Sequence, residues 1–332
     1  MLRTAFVTGG AGFLGRRLVR LLTARNIQVR CLIRETTPVQ DLLDSLSDEQ
    51  RARVQFVTGD VRDRALLEEE FHHVEVVYHL AAALGGSPST LFLQTVIPTR
   101  TLLEVAAASP IRRCVLVSSL GVYGTQTLRR GGLLDESAPI DPHPEQRDPY
   151  SMSKIRQEAI AWEARERWGL PLVVVRPGVI YGPGRTLLTS RVGLSLGPLL
   201  IRLGGRNPLP YTYVDNCAEA LALAGMMPDL DGEIINVVDD DLPTGNQIVR
   251  TLRQAGKRIR SVQIPSRLIG PLSAVYEGYS HWSEGQLPPV LTRYRSDAIW
   301  KPLRYSNAKA RRLLNWQPQV TTAEALQRTI SG

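Results

Sequence analysis

The chain has 332 residues, 43% of them hydrophobic and 22% charged, the balance of a globular protein that can bury a core and, at roughly 150 residues per domain, about two domains. Its net charge of +8 raises nucleic acid as a partner, but the basic pairs Arg16-Arg17, Arg112-Arg113, Arg129-Arg130 and Arg311-Arg312 are scattered and lack interleaved aromatics, so no nucleic acid is expected. No stretch offers the roughly 20 uncharged apolar residues of a membrane helix, and strand-like sequence follows Met1-Leu2-Arg3 directly, so no integral membrane segment and a cytoplasmic location are expected.

Residues 4–7 are a short apolar run ending on glycines, and helix spacing follows over 13–22. Strand patterns recur at 29–33, 54–57, 74–78, 115–117 and 172–175. Between them, helix-like spacing occupies 42–51, 64–71, 91–108 and 151–168. The alternation predicts βαβ units, hence an α/β fold with a doubly wound parallel sheet. After Pro177, Gly and Pro become frequent and the alternation stops. A late strand at 233–237 is expected to return to the sheet, and the tail has helix-like stretches at 307–315 and 323–329. The expected division is a dinucleotide-binding domain over 1–177, with a returning segment near 213–238, and a smaller, mixed C-terminal substrate domain from 178–212 and 239–332. Cys31 and Cys114 in strand-like runs and Cys217 in a helix-like one read as small buried hydrophobes; no CxxC or paired histidines suggest a metal.

Thr8-Gly9-Gly10-Ala11-Gly12-Phe13-Leu14-Gly15 closes the first strand and opens the first helix. A pyrophosphate needs backbone N–H groups at a helix N-terminus, and glycines let the backbone come close, so Gly9, Gly12, Phe13, Leu14 and Gly15 are candidate cofactor contacts. About 20 residues on, an acidic residue normally takes the adenosine ribose hydroxyls. Here the second strand ends in Ile33-Arg34-Glu35. Arg34 suits a 2′-phosphate and favours NADP; with Glu35 as the ribose ligand and Arg34 solvated, the cofactor is NAD. Asp60, in Gly59-Asp60-Val61 after the third strand, could accept the adenine amino group.

Tyr150 and Lys154 stand four residues apart in Tyr150-Ser151-Met152-Ser153-Lys154, on one face of a helix. A phenol with a pKa near 10 is a poor base at neutrality, and a nearby ammonium brings it closer to working pH. Ser119 ends the fifth strand, where it could hold a substrate oxygen for proton exchange with Tyr150.

These pieces resemble the extended short-chain dehydrogenases/reductases, the epimerase/dehydratase superfamily. The resemblance rests on the glycine turn, Gly59-Asp60-Val61, His79-Leu80-Ala81-Ala82, Ser118-Ser119-Leu120-Gly121-Val122-Tyr123-Gly124 and the Tyr150 to Lys154 string. Arg176-Pro177-Gly178-Val179-Ile180-Tyr181-Gly182-Pro183-Gly184 and Tyr213-Val214-Asp215-Asn216 complete it, in family order across most of the chain. It implies a Rossmann fold with Ser119, Tyr150 and Lys154 catalytic. Leu80, Ala81 and Ala82 would line the ribose and pyrophosphate, and Pro177, Gly178 and Val179 would pass the nicotinamide. His79 would anchor its loop and Tyr123 would be packing. A homodimer through the helices at 91–108 and 151–168 is the assembly it implies. One departure is Thr95-Val96-Ile97-Pro98-Thr99 where members carry Asn-Val-x-Gly-Thr, which weakens any claim to a four-residue proton relay.

Three substrate readings compete: an alcohol or ketone enzyme of apolar, steroid-like or long-chain 3-oxo/3-hydroxy compounds; a nucleotide-sugar epimerase or dehydratase; and a non-catalytic NADP-binding sensor. Leu209 stands where nucleotide-sugar relatives carry an arginine, and no acidic pair follows Ser119. Leu187, Leu188, Val192, Leu194, Leu196, Leu199, Leu200 and Leu203 offer either a hydrophobic wall or lid, or a helical core. The tail from Pro289-Val290-Leu291-Thr292-Arg293-Tyr294 to Tyr305-Ser306-Asn307-Ala308-Lys309-Ala310-Arg311 resembles the 3β-hydroxysteroid dehydrogenase-like branch. The first reading is the expectation, with the intact Ser119, Tyr150 and Lys154 weighing against the sensor.

Overall fold

A computed structural model describes residues 2–284, 286 and 290–332, so Pro289 of the tail motif lies outside the described residues. The chain alternates as predicted through β1 (Thr4–Thr8), α1 (Gly15–Ala24), β2 (Gln28–Ile33), α2 (Gln40–Asp44), α3 (Asp48–Arg51), β3 (Val54–Thr58), α4 (Arg64–Phe71) and β4 (Val76–His79). It continues through α5 (Pro88–Leu91), α6 (Ile97–Ala108), β5 (Arg113–Val117), β6 (Leu133–Leu134), α7 (Pro149–Trp168) and β7 (Leu172–Pro177). Shorter pieces follow: β8 (Val179–Tyr181), β9 (Gly193–Leu196), β10 (Leu199–Leu203), β11 (Tyr211–Tyr213), α8 (Val214–Met226), β12 (Glu233–Val237) and α9 (Gly245–Gln254). The chain ends with β13 (Arg260–Ile264), α10 (Ser266–Trp282), α11 (Arg293–Trp300), β14 (Arg304–Tyr305), α12 (Ala308–Leu314) and α13 (Thr322–Ser331).

Seven parallel strands form the central sheet in the order β12-β7-β5-β4-β1-β2-β3, so 233–237 does return to the sheet, beside β7. Strand side chains alternate between two helical layers, as the two-residue period demands. Ala5, Val7, Cys31, Tyr78 and Val175 pack toward α1 and α8, through Leu18, Leu22 and Leu221. Phe6, Leu32, Val77, Cys114 and Val174 pack toward α4, α6 and α7, through Phe71, Leu102 and Ala161. Cys31, Cys114 and Cys217 are buried and unpaired, and burial pushes the Cys31 and Cys114 thiols up to about 12. The strand order reverses between β1 and β4, and a doubly wound sheet opens its ligand crevice at the strand ends there.

Three expected elements differ. The single helix at 42–51 is two short ones, because Ser47 caps α3 in a reciprocal box with Gln50 and restarts the helix. The helix at 91–108 begins at Pro88 and passes through a π turn, Phe92–Val96, before α6. Pro98 has no N–H for the carbonyl four residues back, at Gln94, and the turn widens there. Finally, 192–203 is neither lid nor helix but the β9–β10 hairpin, turning at Gly197 with φ +55°. No helix among the described residues is long and apolar enough to cross a membrane, and no cluster of metal-ligating side chains occurs among them.

Candidate active site

A cavity of about 1000 Å³ opens at the switch point. Every residue named above as catalytic or cofactor-binding lines it, except Glu35, the alternative ribose ligand. At its centre, Gly12 N–H bonds the Gly9 carbonyl at 3.0 Å, curling the turn over the start of α1, whose first turn has no side-chain cap. A Cβ on Gly9, at φ +71°, would lie 3.0 Å from the Ala81 nitrogen, and one on Gly15 would lie 2.1 Å from the Gly9 carbonyl oxygen. The turn and the loop carrying Leu80, Ala81 and Ala82 thus meet backbone to backbone, leaving a glycine-lined helix N-terminus for a phosphate. The residues present fit a dinucleotide.

At one end of the cavity stand Arg34, Thr37, Asp60, Val61 and Arg62; Glu35 does not line it. Asp60 is gripped by Arg62, whose Nε and Nη2 donate to its two oxygens at 2.8 Å each while the Arg62 N–H adds a third bond at 2.8 Å. That pair holds the Asp60 carboxyl below its ordinary value. Oδ1 is fully used, and Oδ2 keeps one lone pair free for an adenine amino group. Arg62 was not singled out from the sequence; its signal is its place two residues after Asp60.

Toward the other end, Ser119 closes the loop after β5 and accepts the Gly121 N–H at 3.0 Å. The Tyr150 phenol, on the first turn of α7, lines the same cavity, and the Ser119 hydroxyl is among the groups that act on it. Asp148 and Pro149 start that helix, with the Asp148 carboxylate accepting from Ser151 N–H at 3.0 Å. Burial pushes the Tyr150 phenol up to about 12, against the neighbouring Ser119 hydroxyl, which lowers it. Lys154 is not what moves it here. Although four residues along the same helix, its ammonium donates to the Val117 carbonyl and the Gln157 amide oxygen, each at 2.9 Å. The expected lowering of the Tyr150 pKa by Lys154 is therefore absent in this arrangement, and burial takes Lys154 itself down to about 8.

A directional network extends from Lys154. Gln157 Nε2 donates to Thr99 Oγ1 at 2.8 Å, and Thr99 donates its one hydrogen to the Thr95 carbonyl at 2.6 Å. His79 Nε2, 2.8 Å from Thr99 Oγ1, must then carry a proton, leaving Nδ1 to accept from Thr8 Oγ1 at 2.8 Å. Thr8 in turn accepts the Ala81 N–H at 3.2 Å. Burial lowers His79 to about 3, so the ring is neutral and anchors its loop. Thr95 Oγ1 accepts the Ala83 N–H at 3.0 Å and fastens the same loop. An amide sits between Lys154 and the threonines, so this chain is built to orient Lys154 rather than to pass its proton. Tyr123 is packing: it is fully buried, lies under Arg176 and donates to Asn236 at 2.8 Å.

The leucine-rich region does not wall the cavity. Leu187, Val192, Leu200 and Leu209 enter a separate core with Tyr181, Tyr211 and Tyr213, Leu203 packs against Trp300, and Leu196 points to solvent. The strand period sends alternate hairpin side chains to opposite faces. What lines the cavity from this part of the chain is Ile180, Arg185, Thr186, Thr189, Arg191 and Pro210. The absence of an arginine at position 209 therefore does not leave the cavity without cations.

Residues 5–237 match the NAD dependent epimerase/dehydratase family. The chain is 29% identical to 3beta-hydroxysteroid-dehydrogenase/decarboxylase isoform 1 of Arabidopsis thaliana, over 99% of this chain and 79% of that protein. It is 33% identical to sterol demethylase protein B of Methylococcus capsulatus, over 96% and 95% respectively. Its fold is that of UDP-glucuronic acid 4-epimerase from Bacillus cereus, solved with NAD, at a TM-score of 0.73 and 20% identity, over 99% of this chain and 97% of that one. The glycine turn, the reversing seven-stranded sheet and these similarities agree: the chain belongs to the NAD dependent epimerase/dehydratase family.

Proposed function

We propose that the chain is an NADP-dependent dehydrogenase or reductase. Its substrate would be the secondary alcohol or ketone of a largely apolar molecule, sterol-like or a long-chain 3-hydroxy or 3-oxo compound. The observation that carries the hydride-transfer reading is that Ser119, Tyr150 and Lys154 line one cleft that fits a dinucleotide. A bound nicotinamide would supply or take the hydride. Ser119 would hold the substrate oxygen, and Tyr150 Oη would exchange one proton with it. A phenol at about 12 stands protonated at neutrality, the state needed to donate to a ketone. After Val117 and Gln157, Lys154 keeps one N–H for an acceptor entering the cleft.

For the apolar substrate, support comes from Leu84, Leu93, Leu120, Ile180 and Pro210 in the lining, and from the similarity to the two sterol proteins. A nucleotide-sugar reading is favoured by Arg185 and Arg191. Arg191 donates to the Ile299 carbonyl at 3.3 Å, whereas Arg185 stacks on Phe13 at 5.1 Å and has no acidic partner among the described residues. The test pairs a series of alkyl and sterol-like ketones and alcohols with UDP- and dTDP-sugars. Each added methylene that the site buries should contribute about 0.8 kcal/mol, so kcat/KM should climb about fourfold per carbon until the cavity fills. Turnover confined to the sugar nucleotides, and lost in Arg185→Ala, would replace this reading with the second.

For cofactor choice, Arg34 rather than Glu35 lines the adenosine end, with Arg62 beside it. Arg34→Ala should weaken NADPH by about 10- to 150-fold, as a charge-assisted contact is worth roughly 1.5–3 kcal/mol, and should barely move NADH. Fluorescence titration with both cofactors decides it; equal losses would leave Arg34 a surface residue and restore NAD.

A further inference from the structure

Helix α10 is turned inside out. Toward the protein it presents Ile269 but also Ser273 and Ser280, and the Ser273 hydroxyl lies 2.6 Å from Ser296 of α11. Toward solvent it presents Leu268, Leu272, Val275, Tyr279 and Trp282, all 45–75% exposed. Their spacing makes one unbroken stripe down the helix. Its only charged residues are Arg267 and Glu277, and Glu277 is partly buried and accepts the Arg293 N–H at 3.2 Å. The sheet beneath extends the patch. Leu196 faces Leu199 across the hairpin, and Val262 faces Ile201, on the side of the sheet against which Ile269 packs. Leu196 and Val262 are 62% and 53% exposed. Such a surface is too continuous to be the scattered apolar exposure of an ordinary monomer.

The charge around it says what covers it. From Arg250 to Ser283 the sequence has six basic residues and one acidic. Lys257, Arg258, Arg260 and Arg267 are exposed and have no acidic partner among the described residues, and Arg260 lies on the same side of β13 as Val262. A two-fold contact between copies would bring this cationic rim against itself. An anionic bilayer satisfies both features: the stripe enters the headgroup boundary, Tyr279 and Trp282 take the interfacial position their amphipathic rings favour, and the cations meet lipid phosphates.

We propose that α10 and the adjoining edge of β13 dock the protein in the plane of an anionic phospholipid surface. The proposal goes beyond the hydride-transfer reading and does not depend on it. The experiment is sedimentation of the full chain with vesicles of phosphatidylcholine alone, or with roughly one-third phosphatidylglycerol. The chain should pellet with the anionic vesicles only, and less as salt is raised. Val275→Asp, at a side chain already 72% exposed, should cut binding at least about tenfold without lowering the thermal midpoint. The double variant Lys257→Ser with Arg258→Ser should cut it about thirtyfold, since each cation near such a surface is worth about fivefold. Failure to pellet with either vesicle overturns the proposal, as does equal pelleting of Val275→Asp. A dimeric mass by light scattering that Val275→Asp returns to monomer would assign the face to a second copy instead.

Discussion

Replacing Tyr150 with phenylalanine should lower turnover by about 10²- to 10⁴-fold, the usual worth of a positioned acid–base group, while cofactor affinity stays nearly constant. The geometry makes this a clean removal. Ser119 keeps its bond from the Gly121 N–H, and Lys154 keeps Val117 and Gln157, so neither neighbour depends on the lost hydroxyl for its place. The ring itself stays on the first turn of α7, under the Asp148 cap. Turnover is read from nicotinamide absorbance at saturating cofactor, and affinity from a fluorescence titration. Turnover within about threefold of the parent would remove Tyr150 from the chemistry. A fall in affinity as large as the fall in turnover would mean that the cleft, and not the proton carrier, had been damaged.

The central sheet was legible because its strands are buried on both faces. Such strands read as short apolar runs bounded by glycine, at 4–7 or 172–175, and only a parallel α/β sheet accounts for their alternation with helices. The site strings were legible for a related reason: a turn such as Gly9 to Gly15 leaves so little room for side chains that its chemistry is written locally. What could not be read depends on distant partners. Leucine density at 187–203 suits a helix, a lid or a hairpin equally, and only the Gly197-Pro198 turn distinguished the last. The partner of Lys154 is Gln157, three residues on, but Gln157 is aimed by Thr99, 58 residues earlier in sequence. Arg185 and Arg191 reach the cavity from irregular chain whose path no periodicity reports.

The joint that holds these elements in register is a buried ion pair, and removing its acid should have the largest effect on stability. Glu158 on α7 is 0% exposed and Arg176 on β7 is 1% exposed. Arg176 Nε donates to Glu158 Oε1 at 2.9 Å and Nη2 to Oε2 at 2.5 Å, while the guanidinium lies 4.5 Å from the Tyr123 ring centre. One turn before Glu158 on its helix is Lys154, and immediately after Arg176 come Pro177, Gly178 and Val179, so the pair ties the helix that carries Tyr150 and Lys154 to the strand end that closes the cavity. Glu158→Ala strands a guanidinium in the interior with its carboxylate gone. The expected cost is about 3–5 kcal/mol, a large part of the roughly 5–15 kcal/mol that holds a domain folded. Glu158→Gln keeps an acceptor oxygen and should lose less. The double change Glu158→Met with Arg176→Met should recover much of the loss, because removing both partners leaves no orphan charge. Urea midpoints for the four proteins decide the matter. If Glu158→Ala unfolds at the parent's midpoint, α7 is held to β7 by apolar packing alone and the ion pair contributes nothing to the register of the site; if the double variant is no better than the single one, the loss does not come from an orphaned guanidinium.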